Sequence, residues 1–282
     1  MKLTAFDRSN AMPKALTDDQ IRFYRDNGFL TPCDGIDAAD TEPMLRDLQD
    51  FEASQGYCVG TMNLKAHLCF RRSFELSSTP AILDVVEDLI GPNILVFASH
   101  FWIKPGDDAT FVSWHQDSAY IGLDPHELVT VWLALTDSNP ANGCMRMLPG
   151  THLGETYAHT ETYDEKNLLS RGQAIENIDD SNAADLILKA GQFSCHHERI
   201  IHGSNTNQTG KARVGLSFFH IPTHVRSTSG RRTAHLVRGI DDFGHWDDDP
   251  VPEARIDTGI IDHVVEVNNR YKQNRQEAEA AG

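Results

Sequence analysis

The chain has 282 residues, of which 40% are hydrophobic and 23% are charged, and its formal net charge is −16. This composition is typical of a globular protein with a sizeable core. A field this negative repels phosphate backbones and anionic membrane surfaces, so we expect neither a nucleic-acid partner nor a membrane partner.

The sequence shows no targeting or membrane-spanning pattern. No stretch approaches the roughly 20 apolar residues of a transmembrane helix, and the first residues lack the apolar centre of a signal peptide. The five cysteines include no CxxC pair, which favours free thiols over disulfides or a thiolate zinc site. We therefore expect a cytoplasmic protein.

The first ninety residues carry helical signals. Thr17 and Gln20 form the pattern of a capping box, and Gly28 is placed to end that first helix. A second helix is predicted to begin at residues 41–43, where a proline falls in the first turn. The third helix, over residues 79–91, has apolar residues at helical spacing between a Thr-Pro start and a glycine.

After residue 92 the pattern changes to that of β-strands, with β-branched and aromatic residues between Gly and Pro turns. Strands this frequent indicate a mainly β fold, an antiparallel sandwich or jelly roll. We predict one domain made of a helical buttress (17–91), a jelly-roll core (93–225) and a C-terminal extension (226–282). The predicted strands cover 94–104, 109–120, 129–135, 144–148 and 212–221, with a hairpin formed by 186–188 and 193–201, irregular chain over 153–182, and a frayed helix from about 266.

One predicted strand carries a pair of candidate metal ligands. Side chains two residues apart in a strand point the same way, so His115 and Asp117 could hold one metal ion together. Such a pair is weak evidence alone, because a chain with 14 histidines contains one by chance. A second pair, His245 and Asp247, lies in an acidic loop and is interpreted as accidental.

Two later residues distinguish the first pair from the second. His202 follows a predicted strand and would complete the two-His-one-carboxylate face of non-haem Fe(II) oxygenases. Arg213 begins the last strand and offers the permanently charged fork that the far carboxylate of 2-oxoglutarate requires. Ser204 is expected on the same strand face as His202, and so is His196.

With these residues in view, the chain resembles the phytanoyl-CoA dioxygenase family of Fe(II)- and 2-oxoglutarate-dependent oxygenases. The matching pieces are residues 114–117, 142–152, 202–204 and Arg213, within a resemblance over roughly 17–225. The resemblance implies a double-stranded β-helix, cupin-like core and the use of Fe(II), 2-oxoglutarate and O2. It also implies His115, Asp117 and His202 as iron ligands, Arg213 and Ser204 on the distal carboxylate of 2-oxoglutarate, and Gln116 and Trp132 in the co-substrate pocket.

The reaction and substrate are less constrained. Related halogenases lack the carboxylate ligand, so Asp117 favours hydroxylation. Candidate substrate contacts are Tyr120, Lys104, His196 and Arg226. The expected substrate is a small polar molecule, with a 2-aminoethylphosphonate-type compound as the specific hypothesis. Alternatives are a free amino acid or ectoine-like compound, an acyl-CoA, a non-catalytic jelly-roll binding protein, and a metal-dependent hydrolase; the oligomeric state is left open.

Overall fold

The computed structural model describes residues 13–281, with side chains for residues 13–274. Helices and strands are numbered here in chain order. The helices are α1 (Asp18–Asn27), α2 (Ala38–Gln55), α3 (Arg71–Leu76), α4 (Pro80–Ile90), α5 (Ser118–Ile121) and α6 (Ile261–Ala281). The longer strands are β1 (Phe29–Asp34), β2 (Ile94–Lys104), β3 (Val112–His115), β5 (Val129–Ala134), β6 (Met145–Met147), β10 (Gln192–His197), β11 (His202–Ser204), β12 (Arg213–Pro222) and β14 (Thr233–Arg238). Two-residue strands are β4 (Leu123–Asp124), β7 (Thr160–Glu161), β8 (Gln173–Ala174), β9 (Ala184–Asp185), β13 (Arg226–Ser227) and β15 (Asp247–Asp248).

Two sheets organise the chain. The larger has seven strands in the order β1-β10-β5-β12-β2-β14-β15, antiparallel except for the last pair. The smaller has four strands in the order β3-β11-β6-β9. Every residue of β12 is buried, as expected for a strand covered on both faces. The prediction of a mainly β chain with helices in its first ninety residues is confirmed.

The N-terminal helices cover the larger sheet. Ile21, Leu48 and Val86, from three different helices, belong to one buried apolar cluster with Phe193 and Leu216 of the sheet. Burial of apolar area is the dominant favourable term in folding, so this shared cluster fixes the helices against the strands. None of the helices described is long and apolar enough to cross a membrane.

Two of the three predicted helix starts are found where expected. Thr17 and Gln20 form both reciprocal bonds of the capping box, and Gly28 ends α1 in the left-handed conformation. The third helix begins at Pro80, as predicted. The predicted start of the second helix is wrong: α2 begins at Ala38, because two alanines after Asp37 extend it by a turn.

The predicted hairpin of residues 186–188 with 193–201 is also wrong. Strand β10 pairs with β1 and β5, whereas Leu188 bridges to Ser138. The chain then changes sheets, because β10 ends at His197 and β11 begins at His202 in the four-stranded sheet. One predicted strand thus corresponds to two strands with different partners, separated by the turn that contains Glu198 and Arg199.

A buried ion pair attaches the C-terminal segment to the rest of the structure. The ammonium of Lys65 lies 2.5 Å from a carboxylate oxygen of Asp249, and both side chains are almost completely buried. Lys65 also donates to the carbonyl of Thr233 at the start of β14. Because neither charge is hydrated, each depends on the other.

We expect Asp249→Ala to lower the free energy of unfolding by about 3–5 kcal/mol, since it leaves the Lys65 ammonium buried without a counter-charge. Urea denaturation of both proteins measures the loss. Lys189→Ala is the control, because the Lys189–Asp137 pair is exposed and its removal should cost about 1 kcal/mol or less. Equal losses in the two variants would contradict the role given to the buried pair.

Candidate active site

Three buried side chains converge where the smaller sheet ends. His115, the last residue of β3, pairs in register with His202, the first residue of β11, and their ring centroids are 4.1 Å apart. Asp117 Oδ1 lies 3.3 Å from His115 Nε2 and 3.9 Å from His202 Nε2. One ligand atom from each residue lies within 4.8 Å of the others. Two imidazole nitrogens and one carboxylate oxygen therefore form a single face.

Asp117 reaches this face by a different route from the one predicted. Strand β3 ends at His115, and Asp117 has helical dihedral angles (φ −58°, ψ −36°) at the start of α5. The strand ends because the Gln116 backbone N–H donates to His159 and its side-chain amide donates to the carbonyl of Arg199. The two side chains meet as expected, but the alternation argument behind the prediction is wrong.

The orientation of both imidazoles is fixed by backbone carbonyls. His115 Nδ1 lies 2.9 Å from the carbonyl oxygen of Ser113, and His202 Nδ1 lies 3.0 Å from that of Ile200. Because a carbonyl only accepts hydrogen bonds, each Nδ1 carries a proton, and in the neutral imidazole the Nε2 that faces Asp117 keeps a lone pair. Such lone pairs beside a carboxylate repel one another unless a cation lies between them, so this donor set fits a divalent metal ion.

Protonation of the face agrees with this interpretation. Burial and the neighbouring imidazole of His115 lower the pKa of His202 well below its usual value. Burial alone would raise the pKa of Asp117, but the surrounding imidazoles hold it below its ordinary range. The site therefore presents a neutral imidazole and a carboxylate near pH 7, which are the forms that bind metal.

A third imidazole lies beside the face. His196 Nε2 is 3.9 Å from Asp117 Oδ2, and burial lowers the pKa of His196 to about 4. Neither of its ring nitrogens has a hydrogen-bond partner within the described structure. His196 faces the site as expected, although it lies on β10 and not on the strand of His202. His197 points away and packs near His152.

Arg213 marks the other end of the site. Its guanidinium is buried, donates to the carbonyl of Gly143 at 2.9 Å and lies 5.2 Å from the ring centroid of Trp132. Burial lowers its pKa to about 10, which leaves it charged near pH 7. Among residues 13–274, no carboxylate forms an ion pair with it. A buried cation without a counter-charge is costly, so this end of the site fits a bound anion.

Lys104 lies next to Arg213. The two residues are paired in register across β2 and β12. The ammonium of Lys104 donates to Ser204 Oγ at 2.7 Å and to the carbonyl of Asn205. Lys104 thus adds a second buried nitrogen near Ser204 at the Arg213 end, and its expected role as a substrate contact stays a prediction.

A cavity joins the two ends of the site. His115, Asp117, His196 and His202 line one end and Ser204 and Arg213 the other, with Trp102 and Trp132 among the walls. Gly215 leaves room for Trp132, because a Cβ at that position would come within 2.0 Å of the indole. Gln116 does not line this cavity. Its amide holds the backbone of Arg199 and Tyr157, so the expected pocket role of Gln116 is not found.

A larger cavity of about 340 Å³ shares Trp102, Asp117 and Phe219 with the first. Tyr120 lines it, and its hydroxyl donates to Asp117 Oδ1 at 3.2 Å. Sequence reasoning missed most of its polar lining, because no motif marks these residues. They lie in the loop before β8, in the segment just before β14 and on α6. The missed residues are Arg171, Arg232, Asn268, Tyr271 and Lys272.

Two other sequence candidates lie away from both cavities. Arg226 is exposed and pairs with Asp124 at 2.8 Å, so the expectation that it contacts substrate is not supported by its position. Asp247 is exposed and pairs with Arg231 at 2.6 Å. Within the described residues, Asp247 and His245 belong to no group of potential metal ligands, in agreement with an accidental pair.

Comparison with known proteins places this chain in a family. The family model described as phytanoyl-CoA dioxygenase (PhyH) matches residues 24–215, which is more than half of the chain. The chain belongs to the phytanoyl-CoA dioxygenase family. Human peroxisomal phytanoyl-CoA dioxygenase is 25% identical over 260 residues, covering 82% of this chain and 76% of the relative. A probable alpha-ketoglutarate-dependent hypophosphite dioxygenase from Stutzerimonas stutzeri is 32% identical over 145 residues, covering 51% and 50%.

The chain is also similar to solved structures. The non-heme monooxygenase ThoJ in its apo form has a TM-score of 0.81 and 31% identity, covering 94% of this chain and 100% of that one. CytC3 with Fe(II) and alpha-ketoglutarate has a TM-score of 0.62 at 23% identity, covering 82% and 92%, and shows the fold alone. The prediction of an Fe(II)- and 2-oxoglutarate-dependent dioxygenase is confirmed at the level of the phytanoyl-CoA dioxygenase family.

We expect Asp117→Asn to weaken Fe(II) binding, because it removes the only negative charge from the ligand face. Loss of a residue that only hydrogen-bonds to a metal ligand costs roughly 10- to 100-fold in affinity, and loss of a ligand itself should cost at least as much. Anaerobic calorimetric titration with Fe(II) measures the affinity. Asp247→Asn in the second His-x-Asp pair is the matched control and should bind as the unaltered protein does. Similar losses in both variants would indicate that the metal binds elsewhere.

Proposed function

We propose that this protein is a hydroxylase that inserts oxygen into an unactivated C–H bond of a small anionic molecule. One observation carries the proposal: a buried face of two imidazoles and a carboxylate opens into the same cavity as Arg213, a buried guanidinium with no acidic partner in the described chain. We assign iron binding to His115, Asp117 and His202 on a double-stranded β-helix core, with the helices of 17–91 as its buttress and 226–282 as its extension.

The distal carboxylate of 2-oxoglutarate is assigned to Arg213, Ser204 and Lys104. The guanidinium offers a planar fork for a carboxylate, and the Ser204 hydroxyl lies within 2.7 Å of the Lys104 ammonium. The Arg213 guanidinium lies over the indole face of Trp132, which holds it in place by a cation–π contact. Because Arg213 and the histidines line the same cavity, we assign both ends to one co-substrate.

Bound iron and 2-oxoglutarate supply the oxidising chemistry together with O2. The protein's residues hold the reactants and exclude water. Asp117 would fill a ligand position that a halide takes in related halogenases, which favours hydroxylation. The Tyr120 hydroxyl, 3.2 Å from Asp117 Oδ1, restrains the same carboxylate oxygen that faces His115 and His202, so that the ligand face keeps a fixed geometry.

For the substrate, the size of the larger cavity supports a small molecule. Its volume of about 340 Å³ lies near the lower end of the range of roughly 300–1,000 Å³ for small-molecule pockets, which favours a compact substrate over an acyl-CoA. The specific candidate is an aminophosphonate such as 2-aminoethylphosphonate, and the relative named as a hypophosphite dioxygenase supports a phosphorus oxyanion. Free amino acids and ectoine-like compounds are the alternatives.

The decisive test of the proposal is oxygen-dependent release of succinate. With Fe(II), 2-oxoglutarate and O2, a hydroxylase should release succinate slowly without substrate and faster when a substrate is added. A non-catalytic binding protein releases none, and a metal-dependent hydrolase would act without O2. Succinate that is absent under all substrates, or product formed equally without O2, would refute the assignment.

We expect Arg213→Ala to weaken 2-oxoglutarate binding by about 10²–10³-fold, equivalent to roughly 3–4 kcal/mol, because it leaves a buried carboxylate unpaired. Anaerobic titration of the Fe(II)-loaded protein measures this affinity. Arg226→Ala, at an exposed arginine, should leave it unchanged. An unaltered 2-oxoglutarate affinity in Arg213→Ala would refute the assigned role.

The affinity for 2-oxoglutarate should also depend on pH through Lys104. Burial, with Arg213 close by, lowers the pKa of Lys104 to about 7, whereas Cys144 has the opposite, smaller influence. As the pH rises through this value the lysine loses the charge that attracts the co-substrate, so affinity falls. Titrations between about pH 6 and pH 8.5 test this, and Lys104→Met should flatten the dependence. An equally steep profile in Lys104→Met would assign it to another group.

A further inference from the structure

The larger cavity combines apolar walls with an excess of positive charge. Its walls include Phe97, Leu168, Ile121 and Phe219, and it reaches the candidate ligand face at Asp117. Long anions are disfavoured by the protein's overall charge of −16. The described lining of the cavity instead carries more cationic than acidic side chains, which indicates a binding site for an anion.

Three cationic residues line the cavity, and they differ in their surroundings. Arg171 is engaged by Glu161 at 2.6 Å, and Lys272 is exposed. Arg232 is buried. Asp117 is the only acidic side chain among the described lining residues. Arg232 is therefore the cation best placed to bind an anion away from bulk water.

The guanidinium of Arg232 is enclosed by aromatic rings. It lies 4.6 Å from the ring centroid of Tyr271, 4.9 Å from that of Phe97 and 5.8 Å from that of Trp246, and it donates to the carbonyl of Ile121 at 3.0 Å. In the described part of the chain, no carboxylate forms an ion pair with it. Cation–π contacts and one carbonyl only partly replace the water that a buried guanidinium loses, so its charge balance is incomplete without a ligand.

A hydrogen-bonded frame connects this cation to the ligand face. The Tyr271 hydroxyl donates to the carbonyl of Tyr120, and the Tyr120 hydroxyl donates to Asp117. Arg232 stacks on Tyr271 and donates to Ile121, the residue after Tyr120. The guanidinium and Asp117 are thus held by the same short segment, α5, which fixes the distance between a bound anion and the reacting centre.

We propose that the larger cavity binds an organic anion, with its carboxylate or phosphonate head on Arg232 and an apolar body along Phe97, Leu168 and Phe219 towards Asp117. This inference rests on the proposed hydroxylase function, because it identifies the substrate of that same site. It also selects among the candidates. An ammonium on the body would meet no carboxylate except Asp117 in the described lining. The inference therefore departs from the aminophosphonate candidate given above and favours carboxylates and phosphonates that carry no amino group.

Binding can be measured without catalysis. Trp102 lines the cavity and Trp246 contacts Arg232, so tryptophan fluorescence should report a ligand in protein without added iron or 2-oxoglutarate. The probes are hexanoate, hexylphosphonate, hexan-1-ol, hexylamine and 6-aminohexanoate. The two anions should bind at least about tenfold more tightly than the alcohol, the amine and the zwitterion, since a hydrogen-bonded charge pair adds a factor of this size.

Arg232→Gln should weaken binding of both anions by about 10- to 100-fold and leave hexan-1-ol unchanged. Arg226→Gln, at an exposed arginine, is the matched control and should not alter the affinity for any of the probes. Arg232→Lys keeps the charge and should retain the preference for anions over the alcohol. Circular dichroism establishes that each variant is folded, and the selectivity of the unaltered protein decides the matter if Arg232→Gln does not fold.

Equal binding of hexanoate and hexan-1-ol, a preference for hexylamine or 6-aminohexanoate, or no anion binding at millimolar concentrations would each overturn the inference. So would anion affinity that is unchanged in folded Arg232→Gln. The succinate assay separates this failure from failure of the proposed function: O2-dependent succinate release with Fe(II) and 2-oxoglutarate, but without substrate, supports the hydroxylase even when none of the probes binds.

Discussion

The pairing of His115 with His202 across β3 and β11 is the contact on which the site depends. It brings together residues that are far apart in the chain, and the carbonyls of Ser113 and Ile200 then set the direction of both rings. Asp117 closes the face from the first turn of α5. If the register of β3 on β11 shifted by one residue, an imidazole would turn to the opposite face of the sheet, and no donor set would remain.

Incomplete charge balance is the second organising feature. Lys65 and Asp249 neutralise each other in the interior, but Arg213 and Arg232 are buried with no acidic partner in the described structure. A protein that only had to be stable would gain by losing such groups. Their positions at the ends of two adjoining cavities agree with binding of two different anions, one held near Ser204 and one near Tyr271.

The parts of the fold and site that sequence patterns predicted are those with local causes. The capping box at Thr17 and the start of α4 at Pro80 depend on neighbouring residues only, and the His-x-Asp pair is a short motif. The failures have tertiary causes. Gln116 ends β3 because distant loops bind its amide, and the run after Gln192 divides between two sheets. Arg232 carries no pattern at all, since its role arises from how α6 and α5 pack around it.

The origin of the cavity walls has a consequence for how this enzyme can diverge from its relatives. The iron and co-substrate candidates all lie within the matched region of residues 24–215, whereas Arg232, Asn268 and Tyr271 come from the segment beyond it. The cation proposed to hold the substrate head therefore lies beyond the segment that supplies the iron and co-substrate candidates, whereas much of the apolar wall, such as Phe97 and Leu168, lies within that segment. With the binding mode proposed for Arg232, substitutions after residue 215 would change substrate selectivity while the iron and co-substrate candidates stay intact, so relatives with the same ligand face need not share a substrate.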